Sequence, residues 1–157
     1  MQTILCGKTK QVKIDTQGPV TIIGEKINPT GRKKLAAALQ EGNWDYVKEL
    51  AQKQIQGGAD ILDVNVGVPG IDDVSILPQV VKMLADEYDI PLCLDTPNPK
   101  ALEAALKVAP GKVLVNSVNG EEASLQAVLP LVKEYGAAVI GLVMDENGIP
   151  NDPEVRC

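Results

Sequence analysis

Five times along this chain a short apolar run ends in carboxylates, carboxamides or small polar residues and then gives way to a longer amphipathic stretch. The runs lie at residues 20–23, 61–66, 90–94, 113–115 and 138–143. Runs this short, bounded by polar and turn-forming residues, read as buried strands. The stretches between them read as helices, at residues 35–39 and 46–55, 75–88, 98–106 and 121–135. Gly57-Gly58 stops the second helix. Pro78 fits the first turn of the third. Asn98-Pro99 supplies a cap and a first-turn proline for the fourth, and Glu121 and Glu122 suit the positive end of the fifth. Asn119 reads as a further capping residue.

Strands that alternate with helices make a parallel sheet covered by helices. A doubly wound open sheet and a TIM barrel both satisfy the pattern, and periodicity does not choose between them. Ahead of the first unit, residues 4–6 and 12–14 flank Gly7-Lys8 as a small hairpin. The expected organisation is one domain, with a hairpin over residues 1–16 and five β/α units over residues 19–157.

The ends of the strands carry the functional signal. They read Gly24-Glu25-Lys26-Ile27-Asn28, Asp63-Val64-Asn65-Val66-Gly67, Asp95-Thr96-Pro97-Asn98, Asn116-Ser117-Val118-Asn119 and Met144-Asp145-Glu146-Asn147. Parallel strands deliver these groups to one face, the C-terminal face on which barrels and open parallel sheets bind ligands. Asp63, Asn65, Asp95 and Asn116 stand before the capping positions, at the strand mouths. A face of acceptors and amides suits a neutral heterocycle, because a carboxylate accepts two hydrogen bonds from an N–H and a neighbouring NH₂. Purines, pterins and sugars all fit that description.

Composition removes other classes. A net charge of −6 disfavours sequence-independent nucleic-acid binding, which rests on neutralising phosphates. No apolar run approaches the roughly 20 residues that span a bilayer, and residues 1–15 lack the apolar core of a secretory signal, so a cytoplasmic protein is expected. The chain contains no histidine and three widely spaced cysteines, Cys6, Cys93 and Cys157. A metal site is therefore not expected, Cys93 reads as a buried free thiol, and acid–base chemistry falls to carboxylates, Lys, Tyr, Cys or water. No GxGxxG follows the first strand and no GxxxxGK[ST] occurs, so a nucleotide-phosphate cradle is unsupported.

At these same residues the sequence resembles the methyltetrahydrofolate:corrinoid methyltransferases and the similar folate domain of cobalamin-dependent methionine synthase. Ile23-Gly24-Glu25-Lys26-Ile27-Asn28-Pro29-Thr30-Gly31 resembles their GE-[RK]-x-N stretch. Residues 58–67 resemble GA-x-x-[IL]-D-[VL]-N, residues 92–96 resemble C-[LI]-D-[ST], and Val115-Asn116-Ser117 resembles [IV]-N-S. Residues 141–150 resemble the fifth-strand segment. The series runs in order through almost the whole chain after the hairpin.

The resemblance implies a TIM barrel of the pterin-binding type, in which Asp95 and Asn116 hydrogen-bond the pterin and are the candidate catalytic groups. Asp63 and Asn65 would line the pocket floor, and Glu25 and Asn28 its first-strand side. It implies methyl transfer from N5 of methyltetrahydrofolate to the Co(I) corrinoid of a partner protein, with no metal held by the barrel itself; relatives are often homodimers. A full barrel takes roughly 250 residues, so a chain with five strands is expected to be the N-terminal part of one. The alternatives are dihydropteroate synthase, whose usual loop after the first strand is longer than Asn28-Pro29-Thr30-Gly31-Arg32, and a non-catalytic folate- or partner-binding module.

Overall fold

The computed structural model describes residues 2–154. Two strands, β1 (Gln2–Cys6) and β2 (Gln11–Asp15), pair antiparallel as a hairpin. Then follow β3 (Ile23–Ile27), α1 (Lys33–Glu41), α2 (Trp44–Gln56), β4 (Ile61–Val64), α3 (Asp73–Glu87), β5 (Leu92–Asp95), α4 (Pro99–Leu106), β6 (Leu114–Val118), α5 (Glu122–Glu134) and β7 (Ala138–Gly141). Strands β3 to β7 form one parallel sheet in sequential order.

That order resolves the choice periodicity left open. Crossovers between parallel strands are right-handed, so a sheet that never reverses its order keeps every helix on one face. A doubly wound sheet reverses and is covered on both. Two separate apolar clusters follow from this. The larger lies between helices and sheet, and contains Leu62, Val64, Leu92, Leu94 and Val115 together with Leu35, Val47, Leu77, Leu84 and Leu102. The smaller lies on the opposite face and contains Ile61, Cys93 and Leu114 with Leu5 and Val12 of the hairpin. The architecture is the first five strands of an α/β barrel, and the hairpin plugs its bottom. A fully buried leucine such as Leu5 contributes about 1.5–3 kcal/mol over an exposed one. The ion pairs of the surface, such as Lys82–Asp86 and Lys53–Glu49, join exposed groups and contribute little.

Several boundaries differ from expectation. The first barrel strand is Ile23–Ile27 rather than residues 20–23, and Val20 is 87 % exposed. An apolar run becomes a buried strand only where a neighbour covers it, and β3 is an edge of the sheet. Asp72 replaces Ser75 at the head of α3, which carries Pro78 into the helix beyond the first turn. Strand β6 runs on through the polar residues Asn116 and Ser117, and Asn116 pairs in register with Asp95. Asn98 caps α4 as expected, accepting from the Lys100 N–H at 3.1 Å. Asn119 instead accepts from the Glu121 N–H at 3.1 Å, and Glu121 takes the cap position of α5. Among the described residues no helix is long and apolar enough to cross a membrane.

Two contacts fix the hairpin. Cys6 exchanges backbone hydrogen bonds with Lys112 at 2.9 and 3.0 Å. This close approach needs Gly111, whose φ is +71° and whose missing Cβ would sit 2.2 Å from the Gly7 carbonyl oxygen. The Asp89 carboxylate receives the Thr9 hydroxyl and the backbone N–H groups of Thr9 and Lys10. These bonds, the hydroxyl's first, hold its carboxyl down at about 2.

Gly111→Ala should lower stability by at least about 1–2 kcal/mol, the cost of left-handed backbone for a residue with a Cβ, read from urea unfolding; an unchanged midpoint refutes this account of the joint. The Asp89 anchor should be complete above the ordinary carboxylate value of 3.8 and be lost as pH falls toward about 2. Amide exchange in β1 and β2 should accelerate over that interval in the parent, and Asp89→Asn should exchange faster at neutral pH.

Candidate functional site

In a parallel sheet, residues in register project to the same face, and residues two apart along a strand share it. Ile61, Cys93 and Leu114 belong to the inner cluster above the hairpin. One step further along each strand stand Asp63, Asp95 and Asn116, with Asn65 one step beyond Asp63. Asp63 pairs in register with Cys93, and Asp95 with Asn116. The alternation that buries apolar side chains against the helices thus puts these four polar residues on the inner face.

They are joined in two pairs. Asn65 Nδ2 donates to Asp95 Oδ2 at 2.9 Å. Asn116 Nδ2 donates to Asp63 Oδ1 at 3.3 Å. Each amide spends a donor on a carboxylate, which turns its carbonyl oxygen to the other side. Asn65 Oδ1 accepts from the Gly67 N–H at 2.8 Å, which shapes the loop after β4. Asp63 is only 5 % exposed and, among the described residues, is the one charged residue in the buried set. Burial pushes its carboxyl above the ordinary value; hydrogen bonds from the Cys93 thiol and Asn116 pull it back, while the charges of Asp95 and Glu25 raise it again. The Cys93 thiol is pushed far up, chiefly by burial and then by the Asp63 charge. It is therefore a neutral donor and not a nucleophile.

The first-strand residues are placed less tightly. Glu25 lies in β3, and its charge reaches Asp63. Its position depends on Gly24. Gln54 Oε1 accepts from the Lys26 N–H at 2.6 Å, and a Cβ on Gly24 would meet that oxygen at 2.7 Å. The strand shifts register between Gly24 and Ile27, at the point where Gln54 enters. Asn28 lies in the loop beyond β3 and accepts from the Thr30 N–H at 3.0 Å, so its oxygen is committed to its own turn. A cavity of about 460 Å³ opens beside Asp95 and Asn116 and is also walled by Thr96, Ser117, Asn119 and Glu121. Asp63 and Asn65 lie outside its walls. Among the described residues no group of three or more His, Cys, Asp or Glu is placed to hold a metal ion.

Sequence reasoning passed over Cys93 as an inert thiol and did not single out Gln54. Cys93 was detectable, since it stands two residues before Asp95 on the same face. Gln54 was not, because nothing in a helix sequence marks which glutamine reaches a neighbouring strand.

A five-strand α/β barrel wall with carboxylates and carboxamides converging at its C-terminal mouth defines a small-molecule-binding barrel of the kind found in enzymes. Residues 24–155 match the family described as pterin binding enzyme, and the chain belongs to that family. It is 33 % identical over 134 residues to the methionine synthase of Mycobacterium tuberculosis, a match that covers 82 % of this chain and 11 % of that protein. The methionine synthase of Mycobacterium leprae is likewise 33 % identical over 134 residues. Among solved structures, Yersinia pestis dihydropteroate synthase in complex with a sulfonamide drug superposes with a TM-score of 0.65 at 20 % identity, covering 90 % of this chain and 51 % of that one. The 7,8-dihydropteroate synthase of Vibrio fischeri gives 0.61 at 18 % identity, covering 88 % and 48 %. The chain thus spans about a tenth of the methionine synthases and about half of the solved synthases it matches.

Because folded Asp63 holds its proton more tightly than the unfolded residue does, its contribution to stability declines as pH rises from 3.8 through its raised value. Asp63→Asn should remove that decline, so its stability relative to the parent should improve with rising pH. Urea unfolding across pH 4 to 8 reads this, and a difference that does not vary with pH would sink the assignment.

Proposed function

We propose that this barrel binds methyltetrahydrofolate on its inner polar face and takes part in transfer of the N5 methyl group to the Co(I) corrinoid of a partner protein. The observation that carries the reading is the coincidence of two facts. The similarity to methionine synthases runs through 134 residues. Within that stretch, the inner face gathers Asp63, Asn65, Asp95 and Asn116 into two hydrogen-bonded pairs.

The chemistry follows from those pairs. With Asp95 Oδ2 engaged by Asn65, Asp95 Oδ1 is the acceptor for a ring N–H and its exocyclic NH₂. The carbonyl of Asn116 is the adjoining acceptor. Glu25 and Asn28 close the first-strand side. On transfer, the N5–CH₃ bond breaks and the methyl passes to the corrinoid, which supplies the attacking electron pair. The N5 pair left behind takes a proton. With no histidine in the chain, that proton comes through the carboxyl and amide groups of this face or a water they orient. In this reading residues 1–16 and 19–157 are the plug and the first five units of one cytoplasmic barrel that works with a corrinoid protein, with a homodimer as its expected assembly.

Dihydropteroate synthesis is the second reading, favoured by the fold of the solved neighbours. Against it stands the short connection after β3, where Arg32 already caps α1. A non-catalytic folate-binding module differs from both by the absence of turnover.

Calorimetric titration with methyltetrahydrofolate should give binding by the parent chain. Asp95→Ala should bind about 1.5–3 kcal/mol more weakly, the worth of a charge-assisted hydrogen bond. A folded, monodisperse parent that gives no heat, or a variant that binds equally well, refutes the proposal. Methylation of free Co(I) corrinoid separates the enzyme from the module.

A further inference from the structure

We propose that Cys93 is a positioning residue for the ligand face: its buried thiol donates to Asp63, which keeps Asp63 an acceptor for Asn116 Nδ2 and thereby turns the Asn116 carbonyl toward the ligand. The inference rests on the folate reading for the identity of the ligand, but its geometry stands without one.

Three side chains form the relay. Cys93 is fully buried on β5, and its register with Asp63 on β4 sets the thiol beside the Asp63 carboxyl on the same face of the sheet. Asp63 Oδ1 accepts from Asn116 Nδ2 on β6 at 3.3 Å. An amide has one donor end and one acceptor end, and its orientation is set by whichever end is engaged first. While Asp63 is an anion it can only accept, so it binds the NH₂ end. Once protonated it carries an O–H, which is satisfied by the carbonyl end, and the amide then favours the opposite orientation. The face beside Asp95 would change from acceptor to donor, and a ligand edge made of N–H and NH₂ would lose a partner.

The groups around Asp63 push both ways. Glu25 from β3 and Asp95 from β5 oppose its charge, as does burial. Cys93 from β5 and Asn116 from β6 are the donors that support it. Cys93 is the one donor among these that lies wholly beneath the ligand surface, so it can hold the anion without competing for the ligand. A serine would donate in the same way, whereas an alanine would leave the buried carboxylate with one donor fewer.

The test compares the parent chain with Cys93→Ala and Cys93→Ser. Both substitutions remove the sulfur volume, so packing loss is common to them and only the donor differs. The first readout is the pH titration of the Asn116 side-chain amide resonances, which needs no ligand. The midpoint should move upward in Cys93→Ala and return toward the parent value in Cys93→Ser. The second is methyltetrahydrofolate affinity near neutral pH, expected to fall about tenfold in the alanine variant and to stay within about threefold in the serine variant, the scale of one hydrogen bond. An alanine variant that titrates like the parent, or alanine and serine variants shifted alike, overturns the positioning role. A parent that does not bind methyltetrahydrofolate overturns the folate reading, and the amide titration still decides for Cys93.

Discussion

A sheet whose helices all pack on one side must find something else to fill the other. Every further feature of this molecule answers that requirement. Near the start of the strands the filling is apolar and comes from the hairpin, whose Leu5 and Val12 meet Ile61, Cys93 and Leu114. From that level upward the filling becomes polar: Asp63 stands level with Cys93, and Asp95 and Asn116 stand one step higher. The change from grease to hydrogen bonds within a single step along each strand is what makes this face polar. Asp63, set among apolar side chains, is desolvated, while Asp95 borders the cavity.

That tier is held by pairing across strands. Asn65 engages Asp95 and Asn116 engages Asp63, so each carboxylate has an amide partner from another strand. Since an unpartnered buried charge is costly, and no described buried side-chain polar atom lacks a partner, the amides are as necessary to the face as the acids. The pairing also orders the face, and an ordered face lowers the cost of binding for the ligand proposed above.

Much of this was legible in the sequence, because two periods dominate it. The period of two along each strand separated Leu62 and Val64 from Asp63 and Asn65. The short apolar runs located four of the five barrel strands to within a few residues. What failed were the places where a tertiary neighbour decides. Residues 20–23 look like a core strand, yet Val20 is exposed because it precedes the sheet edge. Asn116 and Ser117 look like a strand end, yet β6 runs on through both to Val118, with Asn116 paired to Asp95 of β5. The choice of barrel over open sheet was not available from periodicity, since it depends on the order in which strands pair.

The joint between hairpin and sheet has a consequence for the way the chain reaches this state. The hairpin is made before the sheet it docks on, and its two strands pair locally. Its apolar side, however, is covered by residues from β4, β5 and β6, and its backbone bonds run to Lys112. Docking therefore waits until most of the chain is present, and it closes a long loop at an entropic cost that local pairing does not incur. Until then Leu5 and Val12 have no partner, and the underside of the growing sheet is uncovered. The hairpin thus behaves as a clasp that snaps shut late, and translation speed through β4 to β6 sets how long the nascent wall stands unsealed.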